Sequence, residues 1–314
     1  MGYTPLRIKT IKPKIPITFD LFIFYKDTYL KYRGSGTNFN QDLILQLKKQ
    51  KFAQFFIDDV DENKYQKYLD NILENLADSK DVTVEEKADI IEGNTSRAIE
   101  RMKKNPTSES SFNASKVAVK SLREVITKNP DALKIIFGRE SEDDDKIIKH
   151  SLNVCMLATK LAEKEGVSGE SLDNLAVAAL LHDLGIGQLD EQGVKMFMKP
   201  KKSLNMQERK IYKSHPKKAT DLLQNKPYIN KEILDLIFNY GENLNGEGAQ
   251  GKKVLTKTEA ILSMVNCYDK KIITSTLGPK EALKDFQISE LGNYDLELIH
   301  SFKDLLKKEG ILDL

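Results

Sequence analysis

The segment SLDNLAVAALLHDLGIG, residues 171–187, is strongly apolar until it reaches His182 and Asp183, and Gly185 and Gly187 end it. A helix of this kind has to be buried, so it carries two polar side chains into the interior with it. Burying a histidine and an aspartate is unfavourable unless they are paired or bound to a cation. Adjacent side chains on a helix point about 100° apart, yet at a last turn both can face one cavity. The pair calls for a helical domain built around a polar or metal-holding centre.

The chain has only four histidines. His150 lies 32 residues before His182, on the preceding long helical segment, and His215 lies 33 residues after it, just before Pro216. Alone, His150 would read as an ordinary half-buried helix residue and His215, in KSHPKK, as plain surface. An apolar helix ending in HD, with a second histidine on the helix before it, shifts the reading towards a metal site. His300, in LELIHSFKDLL, has no such company and reads as structural. Cys155 and Cys267 are far apart with no C-x-x-C, so nitrogen and oxygen ligands are expected and a disulfide framework is not.

The hydrophobic pattern divides the chain into three. Residues 1–83 alternate short apolar runs with helical patterns: strands at RIKTI, FDLFIFY and TYLKY, helix QDLILQLKKQ, strand FAQFFI and helix YQKYLDNILENL. This is a small α/β module. Residues 84–138 read as a helical connector, and residues 139–314 as a compact all-α domain. The fold class is α+β overall. The new domain's first helix is expected to open at Ser141, with the acidic turn SEDDD on the positive end of its dipole, and to stop at Gly166.

Lys+Arg 49 against Asp+Glu 47 leaves a net charge of +2, too small for a field that draws the chain to nucleic acid or an anionic membrane. No apolar run approaches a membrane span and the first residues lack the apolar core of a signal peptide, so a cytoplasmic protein is expected.

GEGAQG, residues 246–251, matches G-x-G-x-x-G, the fingerprint of a dinucleotide-binding turn. That fingerprint needs a strand before it and a helix beginning within it. Here KEILDLIFNY has helical spacing, and the next helix is delayed to about Thr256. The pyrophosphate reading is rejected.

The ordered series HS (150–151), ALLHDLG (179–185), SHP (214–216), ENLNGEG (242–248) and ILSMVNCYD (261–269) resembles the HD-GYP family, the metal-dependent branch of the HD superfamily that hydrolyses cyclic di-GMP. The likeness covers residues 141–314. It implies an all-α domain with two or three metal ions, often iron or manganese, preceded by a regulatory module.

Carried over residue by residue, the resemblance makes His150, His182, Asp183 and, as a weak neutral ligand, Asn266 the first metal set. Asp183 is the residue expected to act in catalysis, and Asp269 is an alternative ligand on nearly the same helix face. The second metal would take Asp183, His215 and two histidines whose positions are Tyr240 and Gly241 here. Only the following glutamate remains, as Glu242. The phosphate-facing lysine becomes Ile186, and a third-metal glutamate becomes Lys146. The DG-x-GYP loop is reduced to Asn245, Gly246, Glu247, Gly248, Ala249 and Gln250.

Two surviving ligands are too few for a transition metal, so the second site is expected to be empty. Two histidines and one carboxylate can hold one divalent ion of iron, manganese or zinc. The resemblance then implies a degenerate protein of cyclic di-GMP signalling. It would bind cyclic di-GMP or a related nucleotide, or a signalling protein through the Gly246–Gly248 loop, and turn over weakly or not at all. The alternatives are a residual mononuclear phosphohydrolase and a purely structural helical module. The helices between residues 84 and 138 are candidates for homodimerisation.

Overall fold

The computed structural model describes residues 2–13, 15–49, 54–141, 146–189 and 191–314. Strands β1 (Tyr3–Arg7), β2 (Leu21–Tyr25), β3 (Thr28–Arg33) and β4 (Gln54–Asp58) form an antiparallel sheet in the order β1-β4-β2-β3. Lys26 and Asp27 turn β2 into β3 with φ of 47° and 60°, the left-handed pair that suits the twist of a tight hairpin. Leu6, Leu21, Phe55 and Ile57 point to the buried face. The flanking helices are α1 (Gln41–Lys49) and α2 (Glu62–Leu73), whose Tyr65 packs edge-on to Phe19 at 5.1 Å.

The first strand lies earlier than RIKTI suggests. Ile8–Thr10 is a 3-10 turn, and Ile8, Thr10 and Ile11 are all buried, a spacing that a strand with one buried face cannot supply. Thr10 Oγ1 bonds the Arg7 carbonyl at 2.7 Å and also meets the Tyr65 hydroxyl, which fixes the turn.

Beyond the sheet the described chain is helical: α3 (Val84–Lys104), α4 (Glu109–Lys128), α5 (Pro130–Phe137), α6 (Lys146–Lys164) and α7 (Gly169–Leu181). A 3-10 segment, His182–Gln188, is followed by α8 (Glu191–Phe197), α9 (Met206–Tyr212), α10 (His215–Leu223), α11 (Lys231–Asn239), α12 (Lys257–Ile273), α13 (Pro279–Ser289) and α14 (Leu296–Lys308). This is an α+β chain, as the sequence indicates. The acidic turn expected at the start of α6 falls on residues 142–145, outside the described residues; Gly166, at φ +79°, ends α6 as expected.

Helix α7 is buried from Asn174 to Leu181 because α3, α4, α6, α11 and α12 enclose it. That is the environment an all-round apolar helix requires. The helices of residues 84–138 pack on this assembly rather than standing apart from it, and one continuous apolar core runs from Leu6 to Ile311. Polar contacts cross from the sheet module to α3: Arg7–Glu100 at 2.7 Å, Lys9–Glu92 at 3.0 Å, and the Arg97 guanidinium 4.1 Å from the Tyr65 ring. No helix among the described residues is long and apolar enough to cross a membrane.

Candidate metal centre

The end of α7 delivers His182 and Asp183 into the interior as expected, but through the first residues of the 3-10 segment rather than the last helical turn. Two residues on, Gly185 sets the next element. A Cβ there would lie 1.9 Å from the His215 carbonyl oxygen, so only glycine lets the start of α10 close on this turn and bring His215 inside. His150 enters from α6, Asn266 and Asp269 from α12, and Tyr240 from the end of α11. His150, His182, Asp183, His215, Tyr240 and Asp269 are all at most 2% exposed.

Three imidazoles are held the same way. Nδ1 of His150 faces Asp269 Oδ2 at 2.6 Å, Nδ1 of His182 faces the Ala179 carbonyl at 2.7 Å, and Nδ1 of His215 faces the Tyr212 carbonyl. Carbonyl and carboxylate oxygens only accept, so each Nδ1 carries a proton and each ring turns its Nε2 the other way. Asn153 Nδ2 donates to the other Asp269 oxygen at 2.9 Å and holds that carboxylate in turn.

His150 and His182 meet at 3.3 Å between Nε2 atoms. Asn266 Oδ1 lies 2.9 Å from His150 Nε2. Asp183 Oδ2 lies 3.3 Å from His182 Nε2 and 3.6 Å from His150 Nε2, and it is buried with no hydrogen-bond donor. Four atoms able to ligate a metal thus converge. Two imidazole nitrogens, a carboxylate oxygen and an amide oxygen are a set that a divalent cation satisfies. His150, His182 and Asp183 form a cluster able to hold such an ion. Asp269 touches the far nitrogen of His150 and orients the ring, a different place from the alternative-ligand position the sequence suggests.

The other side of Asp183 is arranged differently. Its Oδ1 accepts from the Tyr240 hydroxyl at 3.0 Å and lies 3.5 Å from His215 Nε2, and the same hydroxyl meets His215 Nε2 directly. The phenol therefore fills the space between Asp183 and His215. Burial and the neighbouring Asp183 charge push the Tyr240 pKa well above its ordinary value, which keeps it a hydrogen-bond donor. Burial lowers His182 to about 4, so the ring is neutral near pH 7. Burial would raise the Asp183 carboxyl, but His182, the hydrogen bond from His215 and His150 together pull it below the ordinary carboxylate range.

The loop GEGAQG is built around the remaining glutamate. Glu242, 1% exposed, accepts from the backbone N–H groups of Gln250 at 2.7 Å and Lys252 at 2.8 Å. A Cβ on Gly248 would fall 2.2 Å from that carboxylate, so this glycine makes room for it. Asn245 Nδ2 bonds Asn293 Oδ1 at 2.6 Å, and Gly246 takes φ +71°. The glycines shape a carboxylate cradle and not a phosphate loop. His300 is exposed on α14, apart from the centre.

A cavity of about 690 Å³ opens beside the centre, with His215, Tyr240, Asn266, Gly248, Lys213 and Lys270 in its wall. Lys270 is 6% exposed and its Nζ donates to the Phe197 carbonyl. It lies one turn from Asn266, a spacing legible in the sequence, but a lysine on a helix ordinarily reads as solvated. Burial pulls its pKa well down, against the opposing pull of Asp183 and Asp269.

An all-α assembly that gathers a histidine from one helix, HD from the end of the next, and polar residues from a later helix is the arrangement of HD domains. The profile of the HD domain family matches residues 135–298, and the chain belongs to that family. Among solved structures it is similar to Bd1817, an HDG"Y"P protein from Bdellovibrio bacteriovorus, at 26% identity and a TM-score of 0.79, covering 98% of this chain and 100% of that one. The HD domain of the L. monocytogenes phosphodiesterase PgpH in complex with cyclic-di-AMP matches at 18% identity and a TM-score of 0.40, covering 59% of this chain and 93% of that one. No curated protein sequence matches.

Proposed function

We propose that this chain is a degenerate HD-GYP-type protein of cyclic di-GMP signalling, holding one divalent metal at His150, His182, Asp183 and Asn266 and binding a cyclic dinucleotide with little turnover. The observation that carries it is the split of Asp183: Oδ2 has no donor and faces the two imidazole Nε2 atoms, while Oδ1 is taken by Tyr240. A bound divalent cation would offset phosphate charge and lower the pKa of a coordinated water. The second ion that would complete such chemistry has Tyr240 in its place and Gly241 beside it, and Ile186 adds no charge. The cavity of about 690 Å³ falls within the range of small-ligand sites, roughly 300–1,000 Å³. The overall similarity to Bd1817 supports the family branch.

On this reading residues 1–83 are a regulatory module, 84–138 a connector and 139–314 the HD-GYP-like domain, in a cytoplasmic and homodimeric protein whose Gly246–Gly248 loop meets a signalling partner. The test is metal analysis with cyclic di-GMP binding and hydrolysis on the purified chain. About one metal per chain, binding, and negligible hydrolysis is the expected result. About two metals with rapid turnover would overturn it. One metal with steady hydrolysis instead favours a mononuclear phosphodiesterase, a second reading supported by the unsatisfied Asp183 Oδ2 and by a cavity that Asn266 lines.

A further inference from the structure

Lys270 is a buried lysine without a carboxylate in ion-pair contact among the described residues. Its Nζ donates to the Phe197 carbonyl and lies against the Phe197 ring, and neither contact uses all its hydrogens. Of the other lysines of the cavity wall, Lys271 is committed to Asp285 at 2.8 Å and Glu290 at 3.3 Å and Lys213 to the carbonyls of Glu247 at 2.6 Å and Gly248 at 3.1 Å, while Lys201 and Lys202 are exposed to solvent, so Lys270 is the buried one. Lys270 is spaced one helical turn from Asn266, so the two share a face of α12 and both line the cavity. An anion entering there meets the field of two buried carboxylates, Asp183 and Asp269, and one divalent ion cannot offset both of these and a phosphate as well. A second donor of positive character is needed beside the metal ligands, and Ile186 is apolar and buried.

We propose that Lys270 is the phosphate-binding residue of this cavity, its Nζ–H donating to a non-bridging oxygen of a nucleotide phosphodiester or phosphate whose other side faces Asn266 and the metal set. The assignment rests on the proposed nucleotide site and names its anchor. It places the positive group on α12 instead of the turn after HD.

The experiment uses the full chain, with metal content and melting temperature recorded for each variant. Calorimetric titration is run with two probes, cyclic di-GMP and inorganic pyrophosphate. Lys270→Met is expected to weaken both about ten- to a hundredfold with metal content unchanged. Lys270→Arg is expected to keep most of the affinity. Lys270→Gln, which retains a donor without the charge and serves if the Met variant fails to fold, is expected to weaken binding at least about tenfold. Wild-type affinity in Lys270→Met or Lys270→Gln overturns the proposal. Pyrophosphate binding that depends on Lys270, without cyclic di-GMP binding, would sustain the anchor and sink the cyclic dinucleotide reading. Failure of the wild-type chain to bind either probe overturns both.

Discussion

The Tyr240 hydroxyl stands 3.0 Å from Asp183 Oδ1, and it divides one carboxylate between two tasks. The oxygen it holds also lies 3.5 Å from His215 Nε2, whereas the opposite oxygen faces His150 and His182. Replacing Tyr240 by phenylalanine leaves a buried carboxylate oxygen without a donor and is expected to lower stability by about 1–3 kcal/mol in urea denaturation. Tyr240→His restores a third ligand beside Asp183 and His215, and metal analysis is expected to rise above one ion per chain. An unchanged metal content would show that the phenol is not what keeps a second ion out.

Asn266 and Asp269 are expected to separate by kind of effect. Asn266→Asp adds charge at an oxygen 2.9 Å from His150 Nε2 and is expected to tighten divalent-metal binding. Asp269→Asn loosens the ring from behind and is expected to weaken it about ten- to a hundredfold. Chelator competition on the full chain measures both, and equal effects in the same direction would contradict the geometry.

Gly185→Ala places a methyl 1.9 Å from the His215 carbonyl oxygen. The start of α10 has to move, and a loss of about 3 kcal/mol is expected, the upper part of the overpacking range. A melting curve that matches wild type would mean that the turn and α10 are not held together as described.

The Glu92 carboxyl provides a pH signature. Burial would raise it, but Lys9, Lys149 and Arg139 outweigh that and hold it below its ordinary 4.5. A carboxyl depressed in the folded state contributes stability that is complete above its unfolded value and is lost as pH falls through the folded one. Melting temperatures are therefore expected to fall on acidification below about 4.5, the reference value for a free glutamate. Glu92→Gln is expected to lose about 1–3 kcal/mol at neutral pH and to show a shallower acid slope.

The cluster of His150, His182 and Asp183 is legible because its letters are anomalous taken together. Histidine and aspartate at the end of α7 have no solvent to face, and His150 precedes them on a helix with an apolar stripe. The Tyr240 bridge was not, since it exists only when α11 and the turn after α7 are brought together, a long-range contact that no local pattern encodes. Asp269 carried the right position but the wrong nitrogen of His150. The first strand was displaced because Ile8 and Ile11 mimic a strand's apolar content, and helix α8 was missed because seven residues containing Gly193 leave too short a period to read. Glu242 was visible as a survivor, although its carboxylate turned out to be the post around which the glycine loop is wound.

The three Nδ1 contacts have a consequence for how the protein can report its own state. The His150 and His182 rings are already clamped from behind, so a cation arriving between their Nε2 atoms is expected to turn neither ring. Loaded and unloaded chains then share one outline, and a partner that feels only shape cannot tell them apart. What changes with occupancy is the charge behind Asn266, His215 and Tyr240 in the cavity wall, so the centre speaks to something that enters the cavity.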